Sequence, residues 1–126
     1  MSAGLAVLLA LAGGIGAAAR FWLDGEIRER RRTVLPLATI TINVTGSFLI
    51  GLIAGAHLWL GLPAGWQTVL ATGFCGGYTT FSTAAVETVR LAQQGERLRA
   101  LANAGGTVLL TVAAAAAGLA LTVLLA

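Results

Sequence analysis

Lysine is absent from this chain of 126 residues, and its positive charge rests on eight arginines alone. Carboxylates are scarcer still, five in all. Charged side chains make up 10% of the sequence, against about 25% in a soluble domain. That shortage excludes a globular core wrapped in a solvated shell. The one cysteine, Cys75, excludes an internal disulfide, and no redox compartment can be read from it. A buried, inert thiol is its expected state. The one histidine, His57, stands alone at the end of an apolar run and reads as an interfacial residue, not a ligand. No arrangement of side chains suggests an enzyme. No segment repeats at a fixed period, and residues 1–126 read as one domain.

What remains is apolar. Hydrophobic residues make up 57% of the chain, and the mean hydropathy is +0.87. They gather in four runs, residues 3–19, 34–56, 64–89 and 101–126. Each reaches or approaches the ~20 residues that span a bilayer. The expected fold class is an all-α membrane protein of four transmembrane helices with short loops. The first run has the look of a cleaved leader, with residues 5–11 as its apolar centre and 17–19 as its cleavage site. Its start, Met1-Ser2-Ala3-Gly4, lacks the basic side chain such a leader normally carries, so a retained helix is expected. Trp22, Trp59 and Trp66 fall near the expected helix ends, as aromatic belts do.

The arginines are one-sided. Arg20 ends the first run; Arg28, Arg30, Arg31 and Arg32 lie between the first two helices; Arg90, Arg97 and Arg99 lie at or beyond the end of the third. With four spans, all of these fall on one side of the membrane. The termini and residues 57–63 carry no arginine. The positive-inside rule puts loops 24–33 and 90–100 in the cytoplasm and both termini outside. The cluster at 28–32 reads as this topology signal. Nucleic-acid binding does not suit so short a loop, interrupted by Glu26 and Glu29.

The third run is spoiled in its middle by GFCGGYTTFST, residues 73–83. Glycine costs about 1 kcal/mol relative to alanine in a helix interior, and Ser and Thr offer the backbone competing hydrogen bonds. In lipid, each unpaired backbone group costs several kcal/mol, so a break survives only when buried in protein or lining a watery cavity. The pattern predicts a third helix broken at its centre and a site there for an ion or solute. Thr39, Asn43 and Ser47 recur four residues apart and share one face of the second helix. The Asn43 amide needs a partner, either another helix or a pore, and the spacing leaves both open; as interhelical glue it is worth about 0.6 kcal/mol. Gly51 and Gly55 predict a close helix contact. Asn103, Thr107 and Thr111 form a second polar stripe, whose threonines either bond back to their own helix or line a path. The alanines at 113–117 predict close packing. Glu87, four residues after the break, is either a functional carboxylate at membrane depth or a helix-end group paired with Arg90.

Taken together, GGIGAAARF (13–21), TINVTGSFLIG (41–51) and GFCGGYTTFST (73–83) resemble the Fluc/CrcB family of fluoride channels. The likeness covers three of the four helices in order and spacing, and the chain length agrees. The resemblance implies an antiparallel dimer of four-helix subunits in the bacterial plasma membrane, multi-pass, with two fluoride pores along the interface. It also implies a structural sodium ion at the dimer centre, not transported, held by backbone carbonyls that map to Gly76 and Thr79. The family's pore asparagine maps to Asn43, its pore phenylalanine to Phe81 and its vestibule arginine to Arg20. Its polar track on the fourth helix maps to Thr107 and Thr111. Thr39 and Ser47 extend the Asn43 face, and Glu87 joins Arg20 in the vestibule.

The residue chemistry suits that expectation. Fluoride is small and strongly hydrated, so a pore must replace water with donors. An amide and hydroxyls donate, and the edge of the Phe81 ring is electropositive. Half-helix N-termini favour anions and exposed carbonyls favour a cation. Arg20 would raise the anion concentration at the mouth through its field. Two departures stand out. The family usually has a second phenylalanine three residues after the first, where this chain has Ala84. Family members that insert both ways tend towards balanced loop charge, and this chain is heavily biased. A fixed orientation would require an inverted paralogous partner; a homodimer is the alternative. Three functions follow: a passive fluoride channel subunit, a pore-degraded structural partner of a conducting paralogue, and a proton-coupled exporter of cationic drugs. The last needs a carboxylate deep in a helix, and the apolar spans of helices 1, 2 and 4 contain none.

Overall fold

Ser2 opens α1 (Ala3–Arg30): its hydroxyl accepts the Leu5 N–H at 3.1 Å, and the helix runs on until Arg31 turns extended. The computed structural model describes residues 1–33 and 35–126. The first residue of the expected second run, Val34, lies outside the described residues. α1 corrects the expected loop at 24–33, since the helix continues through its first seven positions. The reason is local charge pairing one turn apart, Asp24 with Arg28 at 2.9 Å and Glu26 with Arg30 at 3.5 Å. The 90–100 loop shortens in the same way, to residues 94–96.

α2 (Leu37–Trp59) follows Pro36, and α6 (Arg97–Leu125) closes the chain. α1, α2 and α6 are each long and apolar enough to cross a membrane. The fourth crossing is composite. It consists of α3 (Ala64–Gln67), a π-helical segment (Thr68–Cys75), α4 (Gly76–Tyr78), two extended residues and α5 (Phe81–Gln93). The chain reverses at Gly61 and Gly95, both with φ of +79°, a conformation that glycine adopts without strain.

The packing is what a lipid solvent selects. Large apolar side chains point outward, among them Phe21, Leu109 and Leu124. Inside lie small and polar residues: Ala38, Thr39, Asn43, Asn103, Cys75 and Thr122. Lipid tails are as apolar as leucine, so helices associate through close backbone approach and interhelical hydrogen bonds. The expected Gly51/Gly55 contact is present. A Cβ on Gly51 would strike the Ala115 carbonyl, and one on Gly55 would strike Thr122, so α2 and α6 meet along the alanine run. In the same way Gly16 of α1 lies against the Phe74 carbonyl and Gly77 of α4 against the Gly13 carbonyl.

This explains why the glycines did not act as expected. Gly73, Gly76 and Gly77 are all helical, Gly76 with φ −62° and ψ −39°. The break falls after them, at Thr79 (φ −82°, ψ 161°) and Thr80 (φ −148°, ψ 115°). Gly73 and Gly77 serve packing against α1; the hydroxyl residues carry the break.

Candidate ion pathway at the helix break

Two extended residues inside a membrane helix strand backbone groups on both sides. α2 supplies the answer from Asn43. Its Oδ1 accepts the Thr80 N–H at 2.8 Å, and its Nδ2 donates to the Thr80 carbonyl at 2.9 Å. The amide therefore mimics a neighbouring strand for a single residue. Asn43 is 7% exposed, and one amide N–H is left over after these bonds. Thr80 also caps α5, accepting the Thr83 N–H at 3.2 Å through its hydroxyl. On the other side of the break, Thr79 returns to Cys75, donating to that carbonyl from both its N–H (2.9 Å) and its hydroxyl (2.8 Å).

Arg20 reaches the same place from α1. Its Nε donates to the Gly77 carbonyl at 3.1 Å, so a cation meets the negative end of the first half-helix. Arg20 is thus tied to the break through one N–H, and the rest of its guanidinium remains available. Arg20, Thr39, Thr80 and Thr83 line a cavity of about 270 Å³, with Phe21 and Asp24 at its side.

Thr39 is 2% exposed, and its hydroxyl donates to the Glu87 carboxylate. Arg28 reaches Glu87 at 3.2 Å and Thr39 at 3.4 Å. Glu87 is therefore paired, but with Arg28 of α1 and not with Arg90 on its own helix. The resulting chain, Asp24–Arg28–Glu87–Thr39, joins α1, α2 and α5 at the basic end of the bundle. Arg28, Asp24 and Thr80 are the partners of the candidate residues that the sequence does not point to. The four-residue spacing of Asp24 and Arg28 was the available signal; Thr80 had none beyond its place in the broken motif.

Phe81, the first residue of α5, is 88% exposed. With Ala84, Thr88, Asn103 and Thr107 it lines a second cavity of about 340 Å³ between α5 and α6. Asn103 donates to the Thr88 hydroxyl at 2.7 Å. Its Oδ1 and the Thr107 hydroxyl are buried with no partner among the described residues. Thr111 bonds back to the Thr107 carbonyl at 2.7 Å. The structure thus brings Arg20 and Thr39 to one cavity and Phe81 and Thr107 to another. Ser47, half-buried further along α2, and Thr111 line neither.

No group of three or more His, Cys, Asp or Glu among the described residues could hold a metal ion. Carbonyl oxygens are the remaining donors. Those of Gly76 and Thr79 accept no hydrogen bond from the described residues, and Gly76 is exposed on the outer surface of its helix. Such a donor set suits a hard, weakly held cation.

The family described as CrcB-like protein, Camphor Resistance (CrcB), matches residues 7–119. Fluoride-specific ion channel FluC 1 of Leifsonia xyli subsp. xyli is 52% identical over 111 residues, covering 88% of this chain and 81% of the relative. FluC 2 of Cutibacterium acnes is 52% identical over 113 residues, covering 88% and 91%. FluC 1 of Frankia casuarinae is 45% identical over 121 residues, covering 90% and 93%.

Proposed function

The chain belongs to the CrcB family, and from that premise we propose that it is a subunit of a fluoride-specific channel whose anion path follows the break in the third crossing. It is a multi-pass membrane protein and not an enzyme. The observation that carries the reading is the Asn43–Thr80 pair. A break is kept open at membrane depth by an amide that retains one free N–H, beside a cavity edged by hydroxyls.

Fluoride gives up water only where donors replace it. From the basic end, the field of Arg20 concentrates anions at the mouth. The spare Asn43 N–H then offers a donor on the face of α2 that Ser47 continues, while Thr39 lines the cavity with its one O–H spent on Glu87. The N-terminal end of α5 presents the positive pole of a half-helix at the same level. Phe81 offers a ring edge, and the Thr107 and Thr111 hydroxyls lie beyond it on α6. Fluoride moves down its own gradient, and the cytoplasmic concentration falls without an energy source.

The Gly76 and Thr79 carbonyls from one chain are half of a cation shell. An antiparallel dimer would bring two such pairs together around a structural sodium ion, which supplies charge to bind the carbonyl ends and takes no part in transport. The partner is a second copy or an inverted paralogue, and the one-sided arginines favour the paralogue. A second reading, the structural partner with a degraded pore, rests on Ala84: beside Phe81 the cavity wall is a methyl group where the family has a ring. Currents across a planar bilayer test the proposal. The reversal potential is expected to follow an imposed fluoride gradient and to ignore a chloride gradient. A potential that tracks chloride would refute fluoride selectivity.

A further inference from the structure

The arginines at the basic end do more than set topology. Arg28, Arg31 and Arg32 from the end of α1 converge with Arg90 of α5 on one cavity of about 360 Å³. Glu87 is its only carboxylate among the described residues, and that group is already engaged by Arg28 and Thr39. Arg31, Arg32 and Arg90 form no ion pair with the described carboxylates. A topology signal requires positive charge near a membrane end; it does not require segments nearly 60 residues apart to gather three uncompensated guanidiniums around one hollow. Like charges so placed repel unless an anion sits between them.

The other wall of the hollow is apolar, formed by Leu35, Pro36 and Leu91, and Leu91 is 5% exposed. It opens where α1 ends, α2 begins and α5 ends, at the boundary between the apolar spans and the basic loops. A free anion would have no use for that wall; an amphiphile would. Guanidinium forks match phosphate oxygens two at a time, and basic pockets between transmembrane helices take anionic headgroups. We propose that this cavity binds the phosphodiester headgroup of an anionic membrane phospholipid, with Arg31, Arg32 and Arg90 on the phosphate and Leu35 and Leu91 against the start of the acyl chains. The proposal rests on the chain's place in a membrane and not on what it conducts.

The test uses purified full-length protein in detergent, where insertion topology has no influence. Phosphatidylglycerol is titrated against the protein, and bound lipid is counted by native mass spectrometry, with phosphatidylcholine as the neutral control. Arg90→Gln is expected to weaken phosphatidylglycerol binding about fivefold, and Arg31→Gln/Arg32→Gln/Arg90→Gln on the order of 100-fold. Arg30→Gln/Arg97→Gln/Arg99→Gln removes the same charge outside the cavity and is expected to retain binding within about twofold. Equal losses in the two triple variants would overturn the site, leaving only diffuse charge attraction. Equal binding of phosphatidylcholine would overturn it as well. Inorganic phosphate forms the last arm. Displacement of bound lipid by phosphate at equal concentration would mean a free-anion site and would overturn the lipid assignment; retention of the lipid supports it. If the cavity triple fails to fold, Arg90→Gln against Arg97→Gln decides between the same outcomes.

Discussion

Asn43 illustrates how much one side chain can carry and how far a sequence can expose it. Its place in an apolar run announced that the amide needed a partner, and the choice between a helix and a pore stayed open. The structure supplies the partner, the Thr80 peptide, and keeps a donor in reserve. An average interhelical hydrogen bond is worth about 0.6 kcal/mol, which understates this case, because Asn43→Ala would orphan the Thr80 N–H, which has no other partner among the described residues. A buried group left unsatisfied costs about 1–3 kcal/mol. Asn43→Ala is therefore expected to abolish most fluoride conduction and to lower unfolding stability by about 1–3 kcal/mol, read by denaturant titration in micelles. Conduction lost with stability unchanged would mean that Thr80 finds another partner, and unchanged conduction would remove Asn43 from the path. Glu87 gives the opposite lesson. Its partner Arg28 is 59 residues away, and no local pattern points to it, whereas Arg90 looked suitable at three residues' distance.

For elements, the broken third crossing was legible in kind but not in detail. Three glycines and four hydroxyls announced a break, and the position went to the hydroxyls because Gly73 and Gly77 are used elsewhere, against α1. The π-helical turns of Thr68–Cys75 left no trace in composition. The helix ends were misjudged where charge pairs extend α1 past its apolar run. Neighbouring glycines separate packing from site. At Gly77 a Cβ would meet the backbone of α1, at 2.9 Å from the Gly13 carbonyl carbon and 3.1 Å from the Ala17 nitrogen. At Gly76 the nearest atom is 4.0 Å away. Gly77→Ala is expected to cost about 1–3 kcal/mol of subunit stability through overpacking, with Gly76→Ala changing it by less than about 0.5 kcal/mol. If Gly76 lies at a dimer-centre cation site, Gly76→Val should weaken dimerisation and its dependence on sodium while helix content persists. Equal thermal stabilities for the two alanine variants would refute the packing assignment.

The molecule as a whole gathers seven of its eight arginines at the end of α1 and just beyond it, at the end of α5 and at the start of α6, and an arginine at a helix centre costs about 2.5–3.5 kcal/mol on the insertion scale. A single topology in cells is expected, with the basic end cytoplasmic. With Cys75 replaced by alanine, single cysteines at Ser2 and Thr33 occupy exposed positions at opposite ends. An impermeant thiol reagent outside the cell should label the Ser2→Cys protein and spare the Thr33→Cys protein. Equal labelling would restore the dual-topology homodimer. A single topology would leave the chain dependent on an inverted partner in cells.

Detergent imposes no such orientation, so purified subunits are free to meet head to tail, and the most direct test of the account is ion efflux from liposomes reconstituted from them. Liposomes loaded with fluoride or with chloride are diluted, and each ion is followed with its own electrode. The account predicts that fluoride leaves rapidly, that chloride leaves at the rate of protein-free vesicles, and that Asn43→Ala brings fluoride down to that same rate. Fluoride efflux no faster than from empty vesicles, or chloride escaping alongside fluoride, would contradict it.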